Sequence, residues 1–396
     1  MVTLADVTRE LDAWIDGHWD SELTARDWWK ALADARWTAP ALAVDVGGRG
    51  WSREWGSAVR ARLTERGVLG PPDGIGLALA APTIAQAGSA QQRARFIPAI
   101  LAGEAAWCQL FSEPDAGSDL ASLRTTAQPD GDGWVVSGTK VWTSFAQYAD
   151  WGMLLARTSS GTTKHRGISW FALPMDQPGV EVRPIREMTG ESFFNEVFLD
   201  GARIPGDCLV GPVDDGWRVA MTTLAEERAG IGSDMSRAMY AVPGERAGHL
   251  DQRVGTLLAA PFVDAMVAVD QGTVAALVSL ARQLERHHEP PVRAALTQLW
   301  MAVECHRIAA AVSGAAGEPG AANLAKLRLA DLYRRARDVG SLVLGPLGTL
   351  VDASQPGGDL VQRITLFGPA LSIAGGTDQI QRNLVAERVL GLPRDA

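Results

Sequence analysis

The chain has 396 residues, 46% hydrophobic and 21% charged, a globular balance with room for two or three packed domains and no sign of general disorder. With 37 basic and 46 acidic residues the net charge is -9, which argues against nucleic acid as a partner, since that needs clustered Lys and Arg to displace counterions. Cys108, Cys208 and Cys305 show no disulfide or metal spacing, and no apolar run is long enough for a membrane span or a signal peptide, so a cytoplasmic protein is expected.

Residues 1–108 read as helical. Stretches such as "SELTARDWWKALADARW" and "SAQQRARFIPAILAGE" repeat apolar residues every three or four positions, and turn clusters such as "VGGRGWS" separate them. Seven of the fourteen tryptophans fall before Trp107, where packing between helices explains them. Residues 109–213 change character. "GWVVSGTKVW", "WGMLLART", "GISWFALPM", "VEVRPIR" and "NEVFLDGARIP" are short, β-branched or aromatic runs bounded by Gly, Pro, Asp and Ser. Such runs without intervening helices predict an antiparallel barrel or sandwich. From 214 to 396 the helical period returns, broken near 243–255, 287–292 and 352–359, and predicts a bundle of about four long helices. The fold class is therefore α+β, in the order helices, β domain, helices.

Three stretches carry candidate chemistry. "WCQLFSEPDAGSDLASL" (107–123) offers backbone N–H groups and hydroxyls in a Pro/Gly-rich loop. In "GTKVWTSFAQYADW", Trp142 precedes Thr143 and Ser144 at a strand end, so a stacking face stands beside small hydroxyls, suiting a flat heterocycle with polar edges. "SIAGGTDQIQRNLVAERVLGLPR" (372–394) runs two glycines into Thr377, a helix cap, with Asp378 in the first turn. His287, His288 and Glu289 diverge as consecutive residues do, and the pattern around Cys305 and His306 reads as a core helix, so neither group reads as a metal site.

Together "SEPDAGSDLAS" and "GGTDQIQRNLVAERVLGLPR" resemble the two signatures of the acyl-CoA dehydrogenase family of flavoproteins, and the domain order matches over essentially the whole chain. The resemblance implies FAD as cofactor, an acyl-CoA substrate, α,β-dehydrogenation to a trans-2-enoyl-CoA, an electron-transferring flavoprotein as acceptor, and a homo- or heterotetramer or a dimer. It implies that Gln109, Phe111 and Ser112 line the isoalloxazine, that Gly117 and Ser118 lie where flavin and the CoA arm meet, that Trp142 and Ser144 cover the ring and its N5 edge, and that Thr377 and Gln379 touch the cofactor. Gly375 and Gly376 would border the substrate.

The family needs a carboxylate to remove the Cα proton, within hydrogen-bond reach. Many members place it directly before the Gly-Thr of the second signature, where this chain has Gly375. The isovaleryl-CoA-dehydrogenase-like placement, on the first long helix of the C-terminal bundle before an arginine, matches Glu227 and Arg228 in "TTLAEERAGIGSDM". Helical spacing sets Ala220, Leu224, Glu227 and Ile231 on one apolar stripe and turns Glu226 toward Thr222, Thr223 and Gly230, the more polar side. Desolvation on that stripe would raise the pKa of Glu227, as a base requires. Arg228 reads equally as a CoA-phosphate contact or a structural ion-pair partner, and Ala225 stands where the family often has an acid.

Two cross-subunit FAD motifs are degraded. "ARQLERHHEPPVR" lacks its aromatic, and Leu342 of "LVLGPLG" holds a glutamine's place. Three functions follow: an active dehydrogenase, a weakly active partner subunit of a heterotetramer, or an oxidase or monooxygenase of the same fold. The paired glycines leave room for a branched or ring-bearing acyl group such as a steroid side chain.

Overall fold

The structure, a computed structural model, describes residues 3–160, 164–231, 239–259, 269–316, 320–350, 356–357 and 359–393. It divides into two compact units, Met1–Glu226 with Met239–Val263, and Glu227–Ala238 with Asp264–Ala396.

The first unit opens with helices α1 (Leu4–His18), α2 (Ala25–Asp34), α3 (Arg53–Glu65), α4 (Ala81–Ala87) and α5 (Ala90–Leu101). Thr3, Thr24, Ser52 and Ser89 cap four of them with side-chain hydrogen bonds, which satisfies N–H groups that a helix start leaves open. The tryptophans do pack: Trp14, Trp19, Trp28, Trp37, Trp51 and Trp55 form a chain of ring contacts 4.8–6.5 Å apart. Arg49 lies 3.5 Å over the Trp37 ring. Buried Trp28 and Trp29 donate their indole N–H groups to the carbonyls of Leu69 and Gly70.

Eight strands follow: β1 (Trp107–Leu110), β2 (Thr126–Asp130), β3 (Gly133–Ser144), β4 (Trp151–Arg157), β5 (Ile168–Pro174), β6 (Val180–Pro184), β7 (Phe194–Pro205) and β8 (Leu209–Val210). They pair in the order β6-β7-β3-β2-β4-β5-β8, with β1 beside β4. The sheet folds over itself far enough for Trp134 of β3 to meet Phe171 of β5 edge to face at 5.4 Å. One feature differs from an all-antiparallel expectation. β1 runs parallel to β4, with the β2–β3 hairpin in the connection between them, and Thr126 of β2 meets Arg157 of β4 in the same sense, with β3 between them along the chain.

Helix α6 (Gly216–Ile231) leaves the sheet, and α7 (Val254–Ala259) packs back on the N-terminal helices through Val254 and Leu257. The second unit contains α8 (Gln271–Gln283), α9 (Pro290–Ala316), α10 (Ala321–Leu344), α11 (Leu360–Leu371) and the short α12 (Asp378–Leu384). α8, α9, α10 and α11 share one core that includes Leu277, Leu299, Tyr333, Ala336 and Ile364. Among the described residues no helix is long and apolar enough to cross a membrane.

Gly216 fixes where α6 begins. A Cβ there would lie 2.3 Å from the Ser169 carbonyl carbon and 2.4 Å from the Trp170 nitrogen, both main-chain atoms of β5 that cannot step aside. We predict that Gly216→Ala lowers stability by about 1–3 kcal/mol in urea unfolding. A variant as stable as the parent would contradict this close approach.

Candidate functional site

The first signature loop hangs on a buried ion pair that sequence reasoning did not find. Lys140 is fully buried in β3, and its Nζ donates to Glu113 Oε1 at 2.9 Å and to the Phe111 carbonyl at 3.1 Å. The Glu113 carboxylate also accepts the backbone N–H groups of Arg124 at 2.7 Å and Thr125 at 2.9 Å. Burial pulls the Lys140 ammonium down to about 8 although Glu113 opposes it. Burial pushes the Glu113 carboxyl up, but Lys140 and the backbone donors outweigh this and hold it below its ordinary value. A signal existed: strand alternation sets Lys140 on the face of Trp134 and Val136, and an inward lysine needs an acid.

Next to that pair the Val141 N–H donates to the Ser112 carbonyl at 3.0 Å, tying the two candidate stretches together. The β3–β7 register slips between Lys140 and Thr143, a bulge that leaves Lys140 and Val141 both buried and swings Trp142 out. Trp142 has φ +60°, rare for a bulky residue, and its side chain is 59% exposed, with Phe194 edge-on at 6.0 Å. Ser144, half-buried, ends the strand.

The predicted residues of this unit fall into two groups. Gln109 and Ser112 are half-buried, and Gly117 and Ser118 are exposed, with nothing within 4 Å of where a Gly117 Cβ would point. The Phe111 ring, by contrast, belongs to the hydrophobic core, and its carbonyl accepts from Lys140.

α6 carries two adjacent glutamates. Glu226 is held by Arg53, whose NH2 group lies 2.6 and 2.7 Å from its carboxylate oxygens. Glu227 is half-buried and followed by half-buried Arg228. Desolvation lowers the Arg228 pKa, Glu227 opposes that, and Arg388 adds to it. Ala220 and Leu224 of the proposed stripe are buried or packed on the core, whereas the side chain of Ile231 lies outside the described residues. The polar side is corrected: Thr223 is buried, its hydroxyl 3.0 Å from that of Thr83, a partner 140 residues away that no local pattern reveals.

In the second signature Thr377 caps α12, its Oγ1 accepting from the Ile380 N–H at 3.2 Å. Gln379 is exposed, and Thr377, Gly375 and Gly376 are half-buried. Gly375 and Gly376 have φ +64° and +87°, a left-handed pair that any residue with a Cβ adopts at a cost. Asp378 is more than a dipole partner. Its carboxylate accepts from buried Lys326 at 2.8 Å and from Arg334 at 2.9 Å, and these bonds keep its pKa low against burial. The last signature residue, Arg394, lies outside the described residues.

We predict that Lys140→Met, which strands Glu113 without a counter-charge, costs about 3–5 kcal/mol in denaturant unfolding, and that adding Glu113→Gln restores most of the loss. An equally damaging double variant would refute the pairing. Because the folded state depresses the Glu113 pKa, its contribution is present above the ordinary value of 4.5 and should fade as pH falls below it.

Family models match in chain order: the acyl-CoA dehydrogenase N-terminal domain over residues 5–104, the middle domain over 108–201 and the C-terminal domain over 214–390. Acyl-CoA dehydrogenase IpdE1 of Mycobacterium tuberculosis is 38% identical over 375 residues, 94% of this chain and 89% of that one. Acyl-CoA dehydrogenase FadE34 of the same organism is 39% identical over 319 residues, 80% of this chain and 39% of its own length. Among solved structures, the Tcur3481-Tcur3483 steroid ACAD superposes with a TM-score of 0.74 at 24% identity over 99% of this chain and 98% of that one, a likeness of fold. The ChsE4-ChsE5 complex from Mycobacterium tuberculosis gives 0.72 at 25% identity over 100% and 99%. By all three domain models and by its relatives, the chain belongs to the acyl-CoA dehydrogenase family of oxidoreductases.

Proposed function

We propose that this chain is an FAD-dependent dehydrogenase of acyl-CoA thioesters, yielding a trans-2-enoyl-CoA, with Glu227 as the base. The observation that carries the reading is Trp142, a large ring held outward at positive φ beside Ser144, on a strand end tied to the first signature loop. An indole face, a hydroxyl, and the open loop backbone at Gly117 and Ser118 fit a planar ring with polar edges. Gln109, Ser112, Trp142, Ser144, Thr377 and Gln379 would hold FAD, with Phe111 contributing main chain. When bound, FAD supplies a hydride acceptor at N5 for the substrate's β-hydrogen.

Glu227 takes the Cα proton in this reading. Gly375, at the other position the family uses, has no side chain, and helical spacing puts Glu227 on the stripe of Ala220 and Leu224. Arg228, whose charge is disfavoured by desolvation and by Arg388, supports an anionic contact such as a CoA phosphate. Gly375 and Gly376 border the thioester. The likeness to a steroid ACAD supports a ring-bearing acyl group, and the same reading takes an electron-transferring flavoprotein as acceptor, a cytoplasmic setting and domain limits at 108/109 and 213/214.

One observation favours a heteromeric assembly. Arg286, within the degraded interface motif, folds back onto its own chain, donating to the Leu342 and Val343 carbonyls at 2.7 and 3.0 Å and pairing with Glu289 at 2.8 Å. Leu342, at the glutamine's place, presents an apolar side chain. A related chain would then complete the FAD site across the interface.

The test is anaerobic mixing with acyl-CoA thioesters. The parent should be yellow and lose its visible flavin absorbance. Glu227→Gln should keep FAD and slow that loss about 100- to 10,000-fold, the range of a general base. A Glu227→Gln protein that bleaches at the parental rate would remove the base assignment. A preparation that is colourless until co-expressed with a related chain would place the FAD site in a heteromer.

A further inference from the structure

The paired left-handed glycines raise a mechanical problem. Gly375 and Gly376 have the widest backbone freedom of any residue type, yet the proposed reading needs them, Thr377 and Gln379 held still against a ligand. Their own stretch supplies few restraints: the Asp378 N–H reaches the Ser372 carbonyl at 3.0 Å, and Thr377 caps α12.

The remaining restraints come from one broad face of α10. Asn323 and Lys326 are three residues apart, and Arg334 lies eight beyond Lys326. Asn323 Nδ2 donates to Gln381 Oε1 at 2.6 Å, and Gln381, 1% exposed, donates through Nε2 to the Gly375 carbonyl at 2.6 Å. Lys326 and Arg334 grip Asp378, and Arg334 also donates to the Ser372 hydroxyl at 2.9 Å. The amide reaches Gly375 only because residue 376 has no side chain, since a Cβ there would sit 2.7 Å from Gln381 Nε2.

We propose that Gln381, braced by Asn323, is a positioning residue that fixes the Gly375 carbonyl and with it the Gly375–Gln379 ligand-binding loop. A buried amide bonded at both ends has one orientation, so it transmits the fixed backbone of α10 to a loop that would otherwise sample many conformations. The loop-ordering step stands on these contacts alone. Its consequence for FAD and acyl-CoA rests on the function proposed above.

Gln381→Leu keeps the size of the side chain and removes both bonds. In the FAD-bearing form of the protein, hydrogen exchange should accelerate at the Gly375–Asp378 amides and stay unchanged in α8. Titration of the apoprotein with FAD should show affinity about 5- to 20-fold weaker, from two lost hydrogen bonds. KM for acyl-CoA should rise with kcat held within about twofold, the pattern of lost positioning. Asn323→Ala, a partly exposed site, gives the same direction with a smaller effect and serves if Gln381→Leu does not fold. Parental exchange at Gly375–Asp378 in both variants overturns the proposal, as does acceleration spread evenly through α8, which marks general loosening. Faster exchange with unchanged FAD and acyl-CoA affinity would keep the restraint and remove the ligand-binding role of the loop.

Discussion

A buried ammonium decides how the first unit presents its first signature loop and Trp142. Removing Lys140 from water is costly unless its charge is compensated at short range, and it finds that compensation in Glu113 and the Phe111 carbonyl. Glu113 in turn spends its remaining acceptor capacity on the Arg124 and Thr125 N–H groups, closing both ends of a Pro/Gly-rich loop with few backbone bonds of its own. With Lys140 pinned inward and Val141 bonded to Ser112, strand alternation cannot continue, and the bulge that results is what turns Trp142 outward. The exposed ring is thus a consequence of the buried charge.

The second unit solves the same problem with a helix. Its glycine loop is held by Lys326 and Arg334 of α10 against Asp378, and by Asn323 through Gln381. In each unit a regular element carries a fully or nearly fully buried lysine, and an acid meets it from the loop in one case and from the helix start just after the loop in the other. Loops placed this way keep their exposed atoms free for a ligand while their interior polar groups are satisfied.

Element order was legible because periodicity is local: three- and four-residue spacing marked the helices, β-branched runs between turn clusters marked the strands, and Thr377 before an acidic first turn marked a cap. The family signatures were legible because their residues are contiguous. The pairings that set the geometry were not. Lys140 and Glu113 are 27 residues apart, Lys326 and Asp378 are 52 apart, and Arg53 and Glu226 are 173 apart. Thr223 shows the limit well. Its hydroxyl looks solvent-facing from composition, and the Val219 carbonyl together with Thr83 across the fold makes its burial tolerable.

Gly375 ties these points together. A carboxylate-bearing residue there would have to adopt φ +64°, a conformation that costs a side chain about 1 kcal/mol or more, and its neighbour has no room for a Cβ beside Gln381. Placing the proposed base on α6 would remove that conflict, because a helix fixes the direction of a side chain by its regular backbone alone. The loop is then free to become a bare main-chain surface whose shape is set from outside by α10. If Glu227 is the base as proposed, the missing acid and the paired glycines are one change: the acid stands on the helix, and the loop is left with the task of shape.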